Sequence, residues 1–352
     1  MNRSAVRDLL RRMPGAAAYR FVRDLLRRIP GAPAYVWHCI HSRVIAGPGI
    51  LGFNGGAFNP GAVQMDSGDI VLLAKAQFSH WRHANVHNYL KGAPVLIVMD
   101  PNLRVRDCHT IESRNFPDAE HTGIEDFRTF RYSGEIWVSH GMIPIKLPPS
   151  EVYQVLSILD PKQKTLSLLG RPGLDLTIKP MEKNWLFWSE GSALFLFYTF
   201  NPYRVLKLVD RESLTFATVI NQPLPCHLSD IGGRGTGMIS FSTNPIVYDD
   251  QHLILLIHQY ELRGWDRFYR HWGVLIDRAS LLFKKFTSAP IFSGQGARGE
   301  PTGYLYVMSV IGRQEEFIFF CGEGDAYLTR MTVSRRKLED LWISTPVKRR
   351  SA

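Results

Sequence analysis

The sequence predicts an all-β fold, a five-bladed β-propeller with a short N-terminal helical extension, and three observations point to it. From residue 38 onward the chain breaks into short runs rich in Val, Ile, Phe, Tyr and Trp, separated by Gly, Pro, Asn and Asp. Ile70–Ala74, Val95–Met99, Glu135–Ser139, Ala193–Thr199, Val205–Val209, His252–His258, Phe268–Ile276 and Phe317–Cys321 are such runs, and β-branched and aromatic segments between turn formers are strand signals. No long segment of 3.6-residue period intervenes, which disfavours a parallel α/β fold. A stretch of roughly 300 residues of this kind is too much for one sandwich and suits five blades of four strands at about 60 residues each. Neither a WD nor a kelch signature marks the blades.

Composition divides the chain into three parts: residues 1–37, a body over 38–344, and a tail over 345–352. The net charge of +10 is unevenly placed. Residues 1–37 hold eight arginines against two aspartates, and the tail adds Lys348, Arg349 and Arg350, leaving the body close to neutral. A nucleic-acid binder is expected to carry its basic face on the folded domain, so no nucleic-acid partner is expected. The longest strongly apolar run, Leu253–Ile257, is far short of the roughly 20 residues of a membrane span. The N-terminus has arginines but no apolar core of a secretory signal. Four scattered cysteines, Cys39, Cys108, Cys226 and Cys321, form no CxxC pair and read as free thiols in a reducing, cytoplasmic setting.

Residues 6–21, VRDLLRRMPGAAAYRF, recur almost unchanged as 22–37, VRDLLRRIPGAPAYVW. Val6, Leu9, Leu10 and Met13, like Val22, Leu25, Leu26 and Ile29, fall at i, i+3, i+4, i+7. Each copy is therefore expected to be a short amphipathic helix stopped by Pro-Gly. One reading is a peripheral contact with the inner face of an anionic membrane, through arginine attraction and shallow apolar insertion. The other is docking of both apolar stripes on the body or on a second subunit, as in a homo-oligomer.

Several chemistries are excluded or weakened by what is missing. There is no GxxxxGK[ST] P-loop, no GxSxG elbow and no Asp-x-Asp, and the glycines of 232–237 lack dinucleotide-binding spacing. His80, His83 and His87 would share one face of a helix, but without an HExxH glutamate a polar loop is the simpler reading, and neither metal nor cofactor is expected. Charged residues instead gather beside Gly, Asn and aromatics at strand ends, in FNPG (58–61), GIEDFR (123–128), EKNW (182–185), GRGT (233–236), GEGD (322–325), and at His258 with Tyr269 and Arg270. Each alone reads equally well as a structural ion pair or solvated turn. Their spread over all the expected blades argues for one shared site at the funnel of the propeller.

These pieces resemble the five-bladed propeller enzymes of glycoside hydrolase family 130, the β-mannoside phosphorylases, and their mannosyltransferase relatives. The matching segments are FNPGAV (58–63), GDIVLLAK (68–75), GIEDFRTF (123–130), EKNWLFW (182–188), FNPYRVL (200–206), GGRGT (232–236), the strand ending in His258, FYRHWGVLID (268–277) and GEGDAY (322–327). They run from about residue 53 to 333 in the family's order. Phe127 stands where the family has a proline, and an additional arginine of the phosphate pocket has no counterpart.

The resemblance implies Asp126 as general acid, with Arg128 orienting it and touching the sugar. It places Asn59, Glu125, Asn184, Arg234 and Asp325 on the carbohydrate, and Lys183, His258, Tyr269 and Arg270 on phosphate. The implied partners are a carbohydrate substrate and phosphate or a sugar phosphate. The expected activity is inverting glycosyl transfer on β-linked sugars, β-mannosides foremost, by a glycosyltransferase or phosphorylase. A proton donor on one side and a stabilised anion on the other is what that displacement needs. An inverting hydrolase is the nearest alternative, and a non-catalytic glycan-binding propeller is the alternative of another class.

Overall fold

The computed structural model describes residues 42–79, 92–117, 122–144, 151–224, 239–263, 266–293 and 305–344. The N-terminal repeat, the basic tail, Cys39, Cys226, the three histidines of 80–87 and Arg234 lie outside the described residues.

Five antiparallel sheets make a five-bladed propeller. Blade one is Gly56–Gln64, Ile70–Gln77, Gly92–Met99 and Val105–Thr110. Blade two runs Thr122–Tyr132, Glu135–Pro144, Tyr153–Asp160 and Thr165–Gly170, and blade three Leu186–Glu190, Ala193–Thr199, Tyr203–Asp210 and Thr215–Gln222. Blade four is built on Ile239–Phe241, His252–Arg263, Asp266–Asp277 and Phe283–Thr287. Blade five takes Leu305–Gly312, Glu316–Glu323 and Tyr327–Ser334 from the end of the chain, and its outer strand, Arg43–Ala46, from the beginning. The ring is thus closed by hydrogen bonds between the two ends of the described chain.

The blades depart from the uniform four strands expected. Glu112–Arg114 pairs in parallel with the outer strand of blade two, Gly173–Leu174 does so on blade three, and Trp342–Ser344 lies antiparallel on the outer strand of blade four. An exposed sheet edge offers unpaired N–H and C=O groups, and these short segments cover it. One short helix, Arg335–Glu339, capped by the Ser334 side chain, lies between the last strand of blade five and Trp342.

The buried apolar residues fall into five clusters, one for each seam between neighbouring blades. This explains the run Leu253–Ile257. Leu253, Leu255 and Ile257 pack against blade three, whereas Ile254 and Leu256 pack against blade five. Alternate residues of a strand face opposite sides, so a strand with a blade on each side must be apolar throughout.

The inner strands surround a central channel and have no strand on their channel side, so their backbone groups need other partners. Side chains from other blades supply them. Ser309 Oγ donates to the Pro60 carbonyl and Ser242 Oγ to that of Val307. Asn244 Nδ2 donates to the Thr129 carbonyl (3.1 Å) while its Oδ1 accepts from the Phe187 amide (3.0 Å). Gly61 is required here, because a Cβ would come 2.8 Å from the Thr129 nitrogen of blade two.

Candidate active site

At one end of the channel, where the inner strands begin, the backbone is irregular. The inner strand of blade one bulges between Phe58 and Gly61, and that of blade two between Glu125 and Arg128. The bulges put Asn59 and Asp126 in the left-handed region, with φ of 51° and 60°. Asn184, just before the inner strand of blade three, has φ 65°, and Asp325, in the turn after the second strand of blade five, has φ 47°. Asn and Asp adopt this conformation more readily than other non-glycine residues, and a bulge re-aims the side chain it carries. Four of the residues singled out in the sequence thus share one unusual backbone state on four elements of one rim.

Asp126 is the centre of the polar contacts. Asn59 Nδ2 donates to its Oδ1 at 2.8 Å, and Lys183 Nζ lies 3.8 Å from its Oδ2. Lys183 also donates to Glu125 Oε1, and Lys75 Nζ is 3.9 Å from Glu125 Oε2. Burial pushes the Asp126 carboxyl above its usual range, and the neighbouring Glu125 pushes it further, against the pull of Lys183, Arg128 and Lys75. A raised carboxyl holds its proton, as a general acid must. Burial draws Lys183 down, but Glu125 and Asp126 outweigh it and leave the ammonium raised. Lys75, 1% exposed, is lowered by burial despite attraction from Glu125, Asp126 and Asp325.

The amide of Asn59 is held tightly. Its Oδ1 is buried and has no hydrogen-bond partner among the described residues, and a Cβ on Gly322 would come 2.5 Å from it. Gly322 lets the amide lie against the backbone of blade five while its nitrogen reaches Asp126.

Arg128 lies beneath this rim, 2% exposed. Its Nη1 donates to the carbonyls of Ser242 and Met308, and its Nη2 to Asn184 Oδ1 (2.9 Å) and Tyr306 Oη (3.2 Å). One guanidinium therefore ties blade two to blades three, four and five. The contact expected from Arg128 to Asp126 is made by Asn59 instead, and Arg128 acts on Asp126 through its charge. Tyr306 Oη also donates to Asn184 Oδ1 at 2.7 Å.

Beside Tyr306 stand His258, Tyr269 and His271, with ring centroids 4.9 to 6.4 Å apart. Burial, helped by the Arg128 charge, lowers His258 to about 3, so it is uncharged at neutral pH. Tyr306 is pushed up to about 12, chiefly by burial.

Asn59, Glu125, Asp126, Arg128, Lys183 and Asn184 are brought together, His258 and Tyr269 join them through Tyr306, and Asp325 acts on the Lys75 charge. Arg270 is set apart. It alternates with Tyr269 along its strand, so it faces the other side, and its Nη2 pairs with Glu261 at 3.0 Å. Two site residues were not singled out from the sequence. Lys75 had a legible signal, a lone charge closing the apolar run IVLLA, while Tyr306 in LYVMSV had none. Among the described residues no group of His, Cys, Asp and Glu is arranged to hold a metal, and Cys108 and Cys321 are free thiols.

No protein-family model matches the chain, and no curated protein matches it by sequence. Solved structures do match it in fold. The β-1,2-mannobiose phosphorylase of Listeria innocua superposes with a TM-score of 0.58 at 13% identity, over 81% of this chain and 92% of that one. A structure from work on mannoside phosphorylases of family 130 that includes hydrolases of β-1,2-mannosidic linkages in Candida mannan gives 0.57 at 11% identity, over 80% and 85%. A GDP-mannose-dependent mannosyltransferase from Leishmania mexicana gives 0.55 at 10% identity, over 79% and 84%. The chain therefore shares the five-bladed propeller fold of these carbohydrate-active enzymes.

Proposed function

We propose that the protein is an inverting glycosyl-transfer enzyme acting at β-mannosidic linkages, with Asp126 as the proton donor. The observation that carries this reading is Asp126 itself, raised by burial and by Glu125, held by Asn59 and flanked by Lys183 at the channel mouth. In cleavage of a β-mannoside Asp126 would protonate the glycosidic oxygen so that the departing sugar leaves neutral. In transfer, the same step run in reverse, the Asp126 carboxylate would take the proton of the acceptor hydroxyl while the donor's phosphate leaves as an anion. The acceptor or nucleophile would then attack the sugar from the opposite face, inverting its configuration. Glu125 keeps Lys183 beside Asp126, and the buried Arg128 holds Asn184 and Tyr306 as the floor beneath the sugar.

Transfer from an activated mannosyl donor to a carbohydrate acceptor is the leading form of this reaction. Phosphorolysis and transfer from a sugar phosphate make the same demand, since each must bind a phosphate, and the groups expected to bind it are engaged within the protein. Lys183 is paired with Glu125, His258 is uncharged and Arg270 is paired with Glu261. The same pairing favours hydrolysis as the second reading. A screen of mannose 1-phosphate and nucleotide-linked mannose against mannose-containing acceptors, read by mass spectrometry, separates the forms. Transfer requires a new oligosaccharide that Asp126→Asn does not make. Release of free mannose from β-mannosides without any donor points to hydrolysis, and no turnover of any of these substrates defeats the reading.

A further inference from the structure

We infer that the outer seam between blades five and one is a docking surface for an anionic phospholipid membrane. Its core is a pair of arginines that the fold places against each other. Arg43, on the strand that closes the ring, stands directly opposite Arg330 in the ladder between Arg43–Ala46 and Tyr327–Ser334. Residues directly opposite in an antiparallel pair share a face, and like charges there are destabilising. Among the described residues neither guanidinium has a hydrogen bond or an ion pair to offset the repulsion. Arg313 adds a third cation at the same corner. Its Nη2 crosses the seam to the Pro101 carbonyl of blade one at 2.7 Å, and its Nη1 is 3.8 Å from Glu316. Glu316 is the acid that acts on Arg330, and it opposes two arginines, Arg43 and Arg313. Among the described residues the corner keeps an excess of positive charge that no acid neutralises, which is what an anionic partner would supply.

Two features of the chain select a lipid surface among anionic partners. Residues 1–41 lead directly into this corner, and the first 37 carry eight arginines. Their charge is therefore tethered to Arg43 through the chain itself, the nearest of the eight, Arg28, standing 15 positions before it. The two copies of that segment also carry apolar stripes at helical spacing, which suit shallow insertion between headgroups and would be idle on a nucleic acid. The orientation is consistent with catalysis. Tyr306 at the start of its strand belongs to the channel mouth, and Arg313 follows the other end of the same strand. A membrane held at Arg313 would lie toward the end of the propeller away from the mouth, leaving the mouth open to soluble substrates.

Membrane binding at this corner does not depend on the reaction and is tested without substrate. The full chain would be sedimented with vesicles of phosphatidylglycerol and phosphatidylcholine and with vesicles of phosphatidylcholine alone. Arg43→Gln and Arg330→Gln should each weaken partition to the anionic vesicles about fivefold, and the double variant about twenty-fivefold, since a basic residue near such a surface contributes about that much. Binding should fall as salt rises, and Arg43→Lys should restore most of it. Each glutamine variant should also melt at a higher temperature than the parent in the absence of vesicles, because it removes a like-charge contact; a structural arginine would lower it. Unchanged partition of the double variant overturns the inference, as does an equal loss on neutral vesicles. Stabilisation of the parent by inorganic phosphate, lost in the double variant while vesicle binding persists, would assign the pair to a small soluble anion instead. Stronger dependence of duplex DNA binding than of vesicle binding on the same two arginines would assign it to nucleic acid.

Discussion

The two ends of the central channel are built from the same five inner strands and have opposite character. At the mouth the strands bulge, Asn59, Asp126 and Asn184 have positive φ, and Lys75 and Lys183 meet at the Glu125 carboxylate beside Asp126. At the far end the strands enclose a cavity of about 320 Å³, lined in part by Phe130, Phe187, Trp188 and Met308. There Asn244 and Ser309 spend their hydrogen bonds on the protein's own backbone. Arg128 divides the two ends, satisfying carbonyls of blades four and five below while meeting Asn184 and Tyr306 above. Polar groups inside a propeller therefore have two distinct uses. At the far end they complete the fold, and at the mouth they are held in strained backbone with capacity left for a ligand.

The largest expected effect tests the mouth. Asp126→Asn is nearly isosteric and tolerates a positive φ, so the fold should persist while turnover falls by roughly 10²–10⁴-fold, the usual worth of a general acid. The same variant carries a stability signature. Because the folded pKa of Asp126 is raised above its unfolded value, its contribution is fully present below pH ~4, near the unfolded aspartate value, and is lost as pH rises through the folded pKa. Asp126→Asn should therefore melt above the parent at neutral pH, with the difference closing toward pH ~4. A difference that stays constant across a melting series would show that burial does not control this carboxyl.

Next is the boundary. Arg128→Met removes donors to two backbone carbonyls and to the Asn184 and Tyr306 side chains. A loss of about 3–5 kcal/mol in denaturant unfolding is expected, in line with breaking a buried charged network. Arg128→Lys should recover little of it, since an ammonium lacks the planar fork. A loss below about 1 kcal/mol would mean that the blades do not depend on this hub.

Asn244→Ala tests the far end. It leaves the Phe187 amide and the Thr129 carbonyl without their side-chain partner, so stability should fall by about 2 kcal/mol. Turnover per folded molecule should not change; a matching loss of turnover would erase the distinction between the two ends.

The smallest effect sharpens the mouth itself. Gly322→Ala would drive a methyl group into Asn59 Oδ1, shifting the amide that donates to Asp126. Loss of that hydrogen bond should cost about tenfold in kcat, and the alkaline limb of the pH–rate profile, where Asp126 gives up its proton, should move to higher pH because the carboxylate form loses a donor. A tenfold loss with an unmoved profile would indicate that Asn59 acts on the sugar alone.

The sequence determined the repeating strand pattern, and with it the fold class, because a strand between two blades must be apolar on both sides and leaves runs such as Leu253–Ile257. It also exposed Asn59, Asp126, Asn184 and Asp325, since charged and amide residues beside glycine at strand ends are visible in one dimension. It could not show which of these residues meet. Asn59 and Asp126 are 67 positions apart and bond only because their blades are neighbours in the ring. Tyr306 looks like any strand tyrosine until blade five closes against blades two and three. Arg128 and Arg270 are both arginines beside an aromatic, yet one became the buried hub and the other the partner of Glu261. Strand alternation and blade closure decided that difference, because which groups share a low-dielectric space depends on three-dimensional neighbours rather than on spacing along the chain. The tertiary structure likewise set Arg43 against Arg330, a repulsion between residues nearly three hundred positions apart that arises only when the two ends of the chain complete one blade.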